Sequence, residues 1–385
     1  MTSRQRMLAA LQRQKPDRLP VTTHHMMPYF LKHRMGGCNN QEFFDSFGLD
    51  AITWVLPYKP DTSQGCYFSL EDSSRGNSEG QWVVNDSWQI RSETLPHPEY
   101  ETTRYSIRTP ARTLTMVMQR NEYTGWLTER PVKEKRDIDL IAEFAPSPLC
   151  DGPAVNRAAD AFGERGLVRG NIPCFEIFGQ PGCWQDAACL YGVEELILAT
   201  YDDPEWVHQF LRILCERKKP FLRSLAGVRY DLLELGGGDA SSTVISPRLL
   251  DEFVAPYDKE LIGLAHQAGQ RIVYHTCGGM MPILENLAAL GPDALETFTP
   301  LAMGGDARLA EAKARIGDRV CMIGGFDQFH FFTGCTPVET AAEVRRCFRE
   351  AGESGGYILS PSDHFFDAEP ELLRAFAETA RECGY

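Results

Sequence analysis

Short apolar runs of strand length recur along the chain, and most are followed by a longer stretch of helical periodicity. The runs fall at 20–24, 50–55, 167–172, 231–236, 271–275, 294–298, 320–324 and 357–360. Between and after them, helical patterns cover 28–49 (broken at Gly36-Gly37), 193–225, 246–268, 283–290, 307–316, 338–351 and 369–382. A first helix is predicted from Arg4 to Gln14, capped by Thr2 or Ser3 and ended before Pro16, and Asp202-Asp-Pro-Glu reads as a cap inside 193–225. Strands alternating with helices argue for a parallel sheet, and eight of them argue for closure into a TIM (β/α)8 barrel. An open doubly wound sheet is the alternative fold. No Gly-x-Gly-x-x-Gly after a strand favours a dinucleotide site.

The pattern changes between residues 65 and 131. Trp82-Val-Val, Trp88-Gln-Ile, Tyr105-Ser-Ile, Leu114-Thr-Met-Val and Thr124-Gly-Trp-Leu are short alternating runs separated by Gly, Asn, Asp and Pro. They predict antiparallel hairpins. The expected organisation is one barrel domain over 1–385, with an inserted β-subdomain at 65–131 forming one wall of a cleft.

Composition narrows the class of partner. With 39 basic and 53 acidic residues the net charge is −14, which speaks against nucleic acid or an anionic membrane as the main partner. A local Arg cluster would still admit an anionic small substrate. The first residues carry no apolar signal segment, and no apolar run reaches the roughly 20 residues a membrane span needs. The twelve Cys are scattered without disulfide spacing. The expectation is a cytoplasmic protein with reduced thiols, and a homo-oligomer stays open.

In a parallel barrel the residues ending each strand ring one mouth. Those positions hold His24 and His25, Glu176, Asp239 after Gly236-Gly-Gly238, His275 and Cys277, Glu296, Asp327, and Ser362-Asp-His364. His275 and Cys277, two apart at a strand end, point to one face. Imidazole with sulfur suits zinc, and a third ligand must come from another loop. Read alone, the pair is equally a capped histidine and a buried thiol. Asp363 or His364 is the best-placed third donor; Cys321 lies deeper and Cys335 sits in a loop. Asp239 reads as a base or a substrate contact, and Glu296 and Asp327 as groups at the site or as loop-orienting acceptors. Of His24 and His25, strand alternation turns one to the mouth and the other away. Arg104, Arg108 and Trp126 are candidate substrate contacts in the insertion.

Several segments resemble one family. Thr2-Ser-Arg-Gln-Arg-Met-Leu-Ala-Ala-Leu, Pro16-Asp-Arg-Leu-Pro-Val21, His275-x-Cys-Gly278, Met322-Ile-Gly-Gly-Phe-Asp-Gln328 and Gly355-Gly-Tyr-Ile-Leu-Ser-Pro-Ser362 are similar to uroporphyrinogen decarboxylase-like proteins across nearly the whole chain. The resemblance implies a TIM barrel. The decarboxylases carry Arg-Gln-Ala-Gly-Arg just after the first strand, where this chain has Thr23-His-His-Met-Met-Pro28. The zinc-dependent branch, which exchanges methyl groups with a corrinoid (cobalamin) protein, resembles this chain at His275-x-Cys277. Its third ligand is a Cys after the last strand, where this chain has Pro361-Ser-Asp-His364.

The resemblance implies zinc on His275, Cys277 and Asp363 or His364, with Asp239, Glu296 and His25 as catalytic residues. It also implies a small-molecule methyl donor or acceptor and a corrinoid protein partner. Two other expectations stand beside a methyltransferase: a metal-free lyase acting on another carboxylated compound, with Asp239 facing a cationic intermediate, and a ligand-binding barrel without catalysis.

Overall fold

The computed structural model describes residues 1–25, 27–70 and 81–385. Met26, within the Thr23–Pro28 segment, and residues 71–80 of the expected insertion lie outside the described residues. Seven strands form one parallel sheet in chain order: β1 (Ala51–Trp54), β2 (Gly166–Asn171), β3 (Leu232–Gly236), β4 (Ile272–His275), β5 (Ala294–Thr297), β6 (Cys321–Gly324) and β7 (Tyr357–Ile358). The eighth position, expected as a strand at 20–24, is a single parallel bridge between Val21 and Leu359. Thr22 N–H donates to Leu359 O (2.9 Å), Leu359 N–H to Pro20 O (2.9 Å) and Asp50 N–H to Val21 O (2.7 Å), so this one residue joins β7 to β1 and closes the barrel. Pro20 has no N–H to extend the ladder, and the chain bends at His24-His25.

Alternation along the strands builds the interior in two layers. Leu167, Leu232, Val273, Ala294, Cys321, Ile323 and Ile358 form an apolar floor with Met7, Ala10 and Leu11 of the N-terminal helix (Ser3–Leu11). Two residues further along four of these strands, on the same face, stand Arg169, Glu234, His275 and Glu296, all buried. The period that hides the floor from water therefore also carries four ionisable groups inside the barrel. Outward-facing Val168, Leu233, Ile272, Tyr274, Leu295 and Met322 belong to the larger core. The longest helix of that core, Pro204–Arg223, starts on the Asp203 cap (side chain to Trp206 N–H, 3.2 Å). The first helix has a capping box between Thr2 and Gln5 and stops at Leu11, short of Gln14, as Arg13 turns to φ 60°.

Between β1 and β2 lies a four-stranded antiparallel sheet, Gln89–Leu95, Glu101–Arg108, Thr113–Arg120 and Gly125–Glu129. Buried Ile90, Tyr105, Ile107, Leu114 and Met116 anchor one side of it, and Trp82 and Trp88 are fully buried beside the sheet. The turn after Arg120 brings Tyr123 against Tyr29 (ring centroids 4.4 Å) and Phe366 (5.4 Å), so the insertion walls the barrel mouth. Among the described residues no helix is long and apolar enough to cross a membrane.

Candidate metal centre

His275 ends β4, and the backbone around it is tightly set. Gly236 of β3 pairs with it in register and has φ 102°; a Cβ there would lie 2.4 Å from the His275 carbonyl. After Glu296, Thr297 and Phe298 take positive φ (86° and 48°), and the Thr297 hydroxyl donates to Thr276 O. Left-handed β-branched and aromatic residues next to one another mark strain of the kind that gathers at functional sites. Beyond Cys277 the turn is pinned by Gly279 N–H to Thr243 Oγ1 (2.7 Å) and Met280 N–H to Asp306 Oδ1 (2.7 Å).

The His275 ring is held on both nitrogens. Nδ1 lies 2.9 Å from Glu296 Oε1 and Nε2 lies 3.0 Å from Cys277 Sγ. Arg169 donates to the same Glu296 oxygen (2.5 Å) and to Glu234 Oε2 (2.7 Å), and its guanidinium rests 4.6 Å over the Trp54 ring. Burial alone would protonate Glu296, but Arg169, with the neighbouring histidines, holds it well below the usual carboxylate range. An ionised Glu296 accepts from Nδ1–H, which turns Nε2 toward Cys277 and the mouth. His275 itself is pushed well above its ordinary value: burial opposes its charge, and Cys277 with the carboxylates outweighs burial.

His24 and His25 both stand beside this group. Their rings are 4.2 Å apart and lie 6.1 and 5.0 Å from His275. Expected strand alternation, with one ring turned away, does not hold, because the ladder ends at Val21–Leu359 and period two ends with it. His24 Nδ1 bonds Ser360 Oγ (2.7 Å), while Nε2 of both histidines is buried without a partner. Burial, with the positive neighbours, pushes His24 down to about 3 and His25 well below its ordinary value, so both rings are neutral. Neutral imidazoles with buried, unpartnered nitrogens are what a cation site requires.

Among the described residues, three groups have ligand atoms that all lie within 4.8 Å of one another: His24, His25 and His275; His25, Asp363 and His364; and Glu234, His275 and Glu296. Of the expected set, His275 falls in the first and third groups and Asp363 and His364 in the second, linked by His25, while Cys277 belongs to none of the three and meets the site through His275 Nε2. His364 stacks on His25 at 4.0 Å, and Asp363 bonds His364 Nδ1 (3.1 Å). Gln328 holds this turn, accepting from Ser362 N–H (2.9 Å).

The other candidates are placed differently. Asp239 Oδ2 accepts from Gln185 Nε2 (2.7 Å), and its carboxyl is pushed up by burial. Its neighbour Gly238 lies against Cys277: a Cβ there would be 3.6 Å from the Cys277 Cβ. Asp327 caps the short helix Gln328–Phe331 through His330 N–H (3.0 Å), a structural role. Glu176 pairs with Arg217 away from the metal-ligand groups. Cys321 is in the barrel floor, and Cys335 Sγ contacts Thr340 Oγ1 (3.4 Å). Arg104 faces Glu93 (4.0 Å), and Trp126 packs on Tyr100 (5.0 Å). Tyr123 and Thr124 of the insertion line a recess of about 600 Å³ at the mouth with Phe329, Asp363, His364 and Phe366.

Two groups escaped the sequence reading: Arg169, and Glu234 at the centre of its run. The signal was present, since Leu167-Val-Arg-Gly and Leu232-Leu-Glu-Leu each put a charge at the centre of a buried strand.

Comparison with known proteins adds the relatives. Residues 105–383 match the family model described as uroporphyrinogen decarboxylase (URO-D). The chain is 26% identical over 261 residues to "Uroporphyrinogen decarboxylase" of Neisseria meningitidis serogroup B, covering 65% of this chain and 70% of that protein. It is 26% identical over 272 residues to the protein of the same name from Vibrio cholerae, covering 67% and 71%. In fold it is similar to a methyltransferase from Methanosarcina mazei, with TM-score 0.59, 16% identity and 99% of each chain covered.

Proposed function

Because this chain belongs to the uroporphyrinogen decarboxylase family, we propose that it exchanges a methyl group between a small methylated substrate and a corrinoid protein, with zinc at the end of β4. The observation that carries this reading is the imidazole cluster. Where the decarboxylases carry Arg-Gln-Ala-Gly-Arg, this chain has Thr23-His-His-Met-Met-Pro28, and the buried Nε2 atoms of His24 and His25 have no partner while their ligand atoms gather with that of His275. The donor chemistry suits zinc: the gathered imidazoles of His24, His25 and His275, with Cys277 Sγ 3.0 Å from His275 Nε2 as a thiol donor beside them, and Asp363 and His364 as further donors on the His25 side.

Bound there, zinc would lower the pKa of a thiol or polarise an ether or amine. Everything else in the reaction falls to the chain. Arg169 keeps Glu296 ionised, Glu296 keeps the His275 Nδ1 proton, and His275 thereby offers Nε2. Asp239, held by Gln185, orients substrate beside Cys277. The recess walled by Tyr123, Phe329 and Phe366 admits the substrate from one side and a corrinoid protein at the open mouth. Metal analysis of protein purified without chelator tests the reading. About one zinc per chain is expected in the parent, with most of it lost in His275→Ala, Cys277→Ser and His25→Ala. Methyl transfer to free cob(I)alamin from methoxy and methylamine compounds then tests the reaction class. Zinc near zero in the parent and unaffected by these variants would overturn it.

The second reading is a metal-free lyase, favoured by the names of the curated relatives and by the half-buried Asp239 carboxyl. Release of CO2 from a carboxylated substrate by zinc-free protein, abolished in Asp239→Asn, would establish it instead.

A further inference from the structure

Of the four ionisable side chains above the apolar floor of the barrel, one has an oxygen to spare. Arg169 and Glu296 are wholly buried, and Glu296 Oε1 serves both Arg169 and His275 Nδ1. Glu234 differs. Its Oε2 accepts from Arg169 (2.7 Å), while Oε1 has no hydrogen bond among the described residues. The free oxygen of Glu296, Oε2, is shut off from solvent. Glu234 Oε1 is not, and the Glu234 side chain is 11% exposed against none for Glu296.

The strand fixes where that oxygen points. Glu234 is the third residue of β3, with Leu232 two residues below it in the floor and Gly236 two residues above it at the strand end. The floor closes the lumen from beneath, and Gly236 has no side chain to cover the carboxylate from above. Oε1 therefore faces the barrel mouth. It does so beside His275, since the ligand atoms of Glu234, His275 and Glu296 all lie within 4.8 Å of one another. Neither His275 nitrogen serves it: one meets Glu296 (2.9 Å) and the other Cys277 (3.0 Å).

Charge selects what can bind there. One guanidinium is shared between two carboxylates, and its remaining nitrogens are shut off from the lumen. Burial pushes the Glu234 carboxyl up, with His275 and Arg169 pulling against it. A cation on Oε1 adds to that pull and offsets the cost of burying the charge. A neutral hydroxyl supplies the hydrogen bond without the compensation, and a carboxylate is repelled. Hydrogen bonds between ionised partners are also roughly twice as strong as neutral ones.

We propose that Glu234 contacts the substrate, and that the substrate is a methylated compound bearing a protonated amino group whose N–H donates to Glu234 Oε1. The proposal rests on the methyl-transfer reading only for what the bound compound undergoes. Ligand-observed NMR titration of the full chain at neutral pH tests it, with zinc measured in each preparation. The probes are 2-methoxyethylamine, 2-methoxyethanol and methoxyacetate, which differ only at the end that would meet Glu234. The amine is expected to bind about tenfold more tightly than the alcohol, and methoxyacetate more weakly than either. Glu234→Gln, which keeps an acceptor for Arg169, should bring the amine down to the alcohol and leave alcohol binding and zinc content as in the parent. Glu234→Asp keeps the charge but withdraws the oxygen; it should weaken the amine by about threefold or more, and it carries the test if Glu234→Gln does not fold. Four results overturn the proposal: equal affinity for amine and alcohol in the parent; methoxyacetate binding as tightly as the amine; an undiminished preference for the amine in the folded variant; or no saturable binding of any probe. An amine preference that Glu234→Gln removes, in protein that carries no zinc and transfers no methyl group, would instead sink the methyl-transfer reading alone.

Discussion

The charges inside the barrel are the residues on which the site depends. Arg169 is fully buried between Glu234 and Glu296, and its Nε and one terminal nitrogen have no partner. Replacing it with Leu would leave two buried carboxylates uncompensated, a loss of about 3–5 kcal/mol by analogy with broken buried ion pairs. Urea unfolding of Arg169→Leu should show that loss, and Arg169→Leu/Glu234→Gln should recover part of it. Asp258 is a buried carboxyl of the opposite kind. Burial pushes it up to about 6, although it accepts from Tyr274 O–H (2.8 Å) and Cys183 N–H (3.3 Å). Since the folded state binds this proton more tightly than the unfolded chain, near 3.8, its contribution is fully present below pH 3.8. It is lost as the pH rises through about 6, worth about 3 kcal/mol in all. Stability curves for Asp258→Asn and the parent should therefore differ in slope between pH 4 and 6 and run parallel above, the variant being flatter.

At the level of elements, strand ends do the positioning. Gly236 has a backbone that L side chains rarely adopt, and its missing Cβ is what lets the His275 carbonyl approach. Gly236→Ala should cost about 1–3 kcal/mol and shift the β4 end. Its zinc content should fall relative to a control substitution at exposed Gly227, where a Cβ meets nothing within 4 Å. The strands and most helices were legible before the structure, because each segment's period agrees with its place: apolar floor, outward core, amphipathic cover. The His24–His25 segment was not. Its alternation presupposed a full strand, and a strand reduced to the Val21–Leu359 bridge leaves both rings free to turn inward.

For the whole molecule, closure is the decisive feature. One residue, Val21, links the last strand to the first, and Asp50 braces it: Oδ2 accepts from Val21 N–H (3.0 Å) while Arg6 (2.6 Å) and Arg18 (3.3 Å) hold the carboxylate. Asp50→Ala would leave buried Arg6 with Asp17 alone, take the acidic partner from Arg18 and unpin the closure, at a cost of about 2–3 kcal/mol. Hydrogen exchange should then speed up at Thr22 and Leu359, the amides of the closing bridge, more than at the amides of β3 and β4. Closure also explains how residues 338 positions apart, His25 and Asp363, come to share a site: His24 and His25 enter on one side of the seam, Asp363 and His364 on the other, and His25 touches both groups.

Eight runs of strand length with helices between them specify a barrel, since hydrophobic period and element length are local properties. The His275–Cys277 pair and its place at a strand end are local too. Which side chains meet it is a matter of closure, register and burial, and those belong to the folded chain. The tertiary structure alone brought Arg169 and Glu234 under His275, put His25 between His275 and the Asp363–His364 pair, and paired Glu176 with Arg217 away from the metal-ligand groups. Each of these is a contact between residues far apart in sequence, and no local period encodes it.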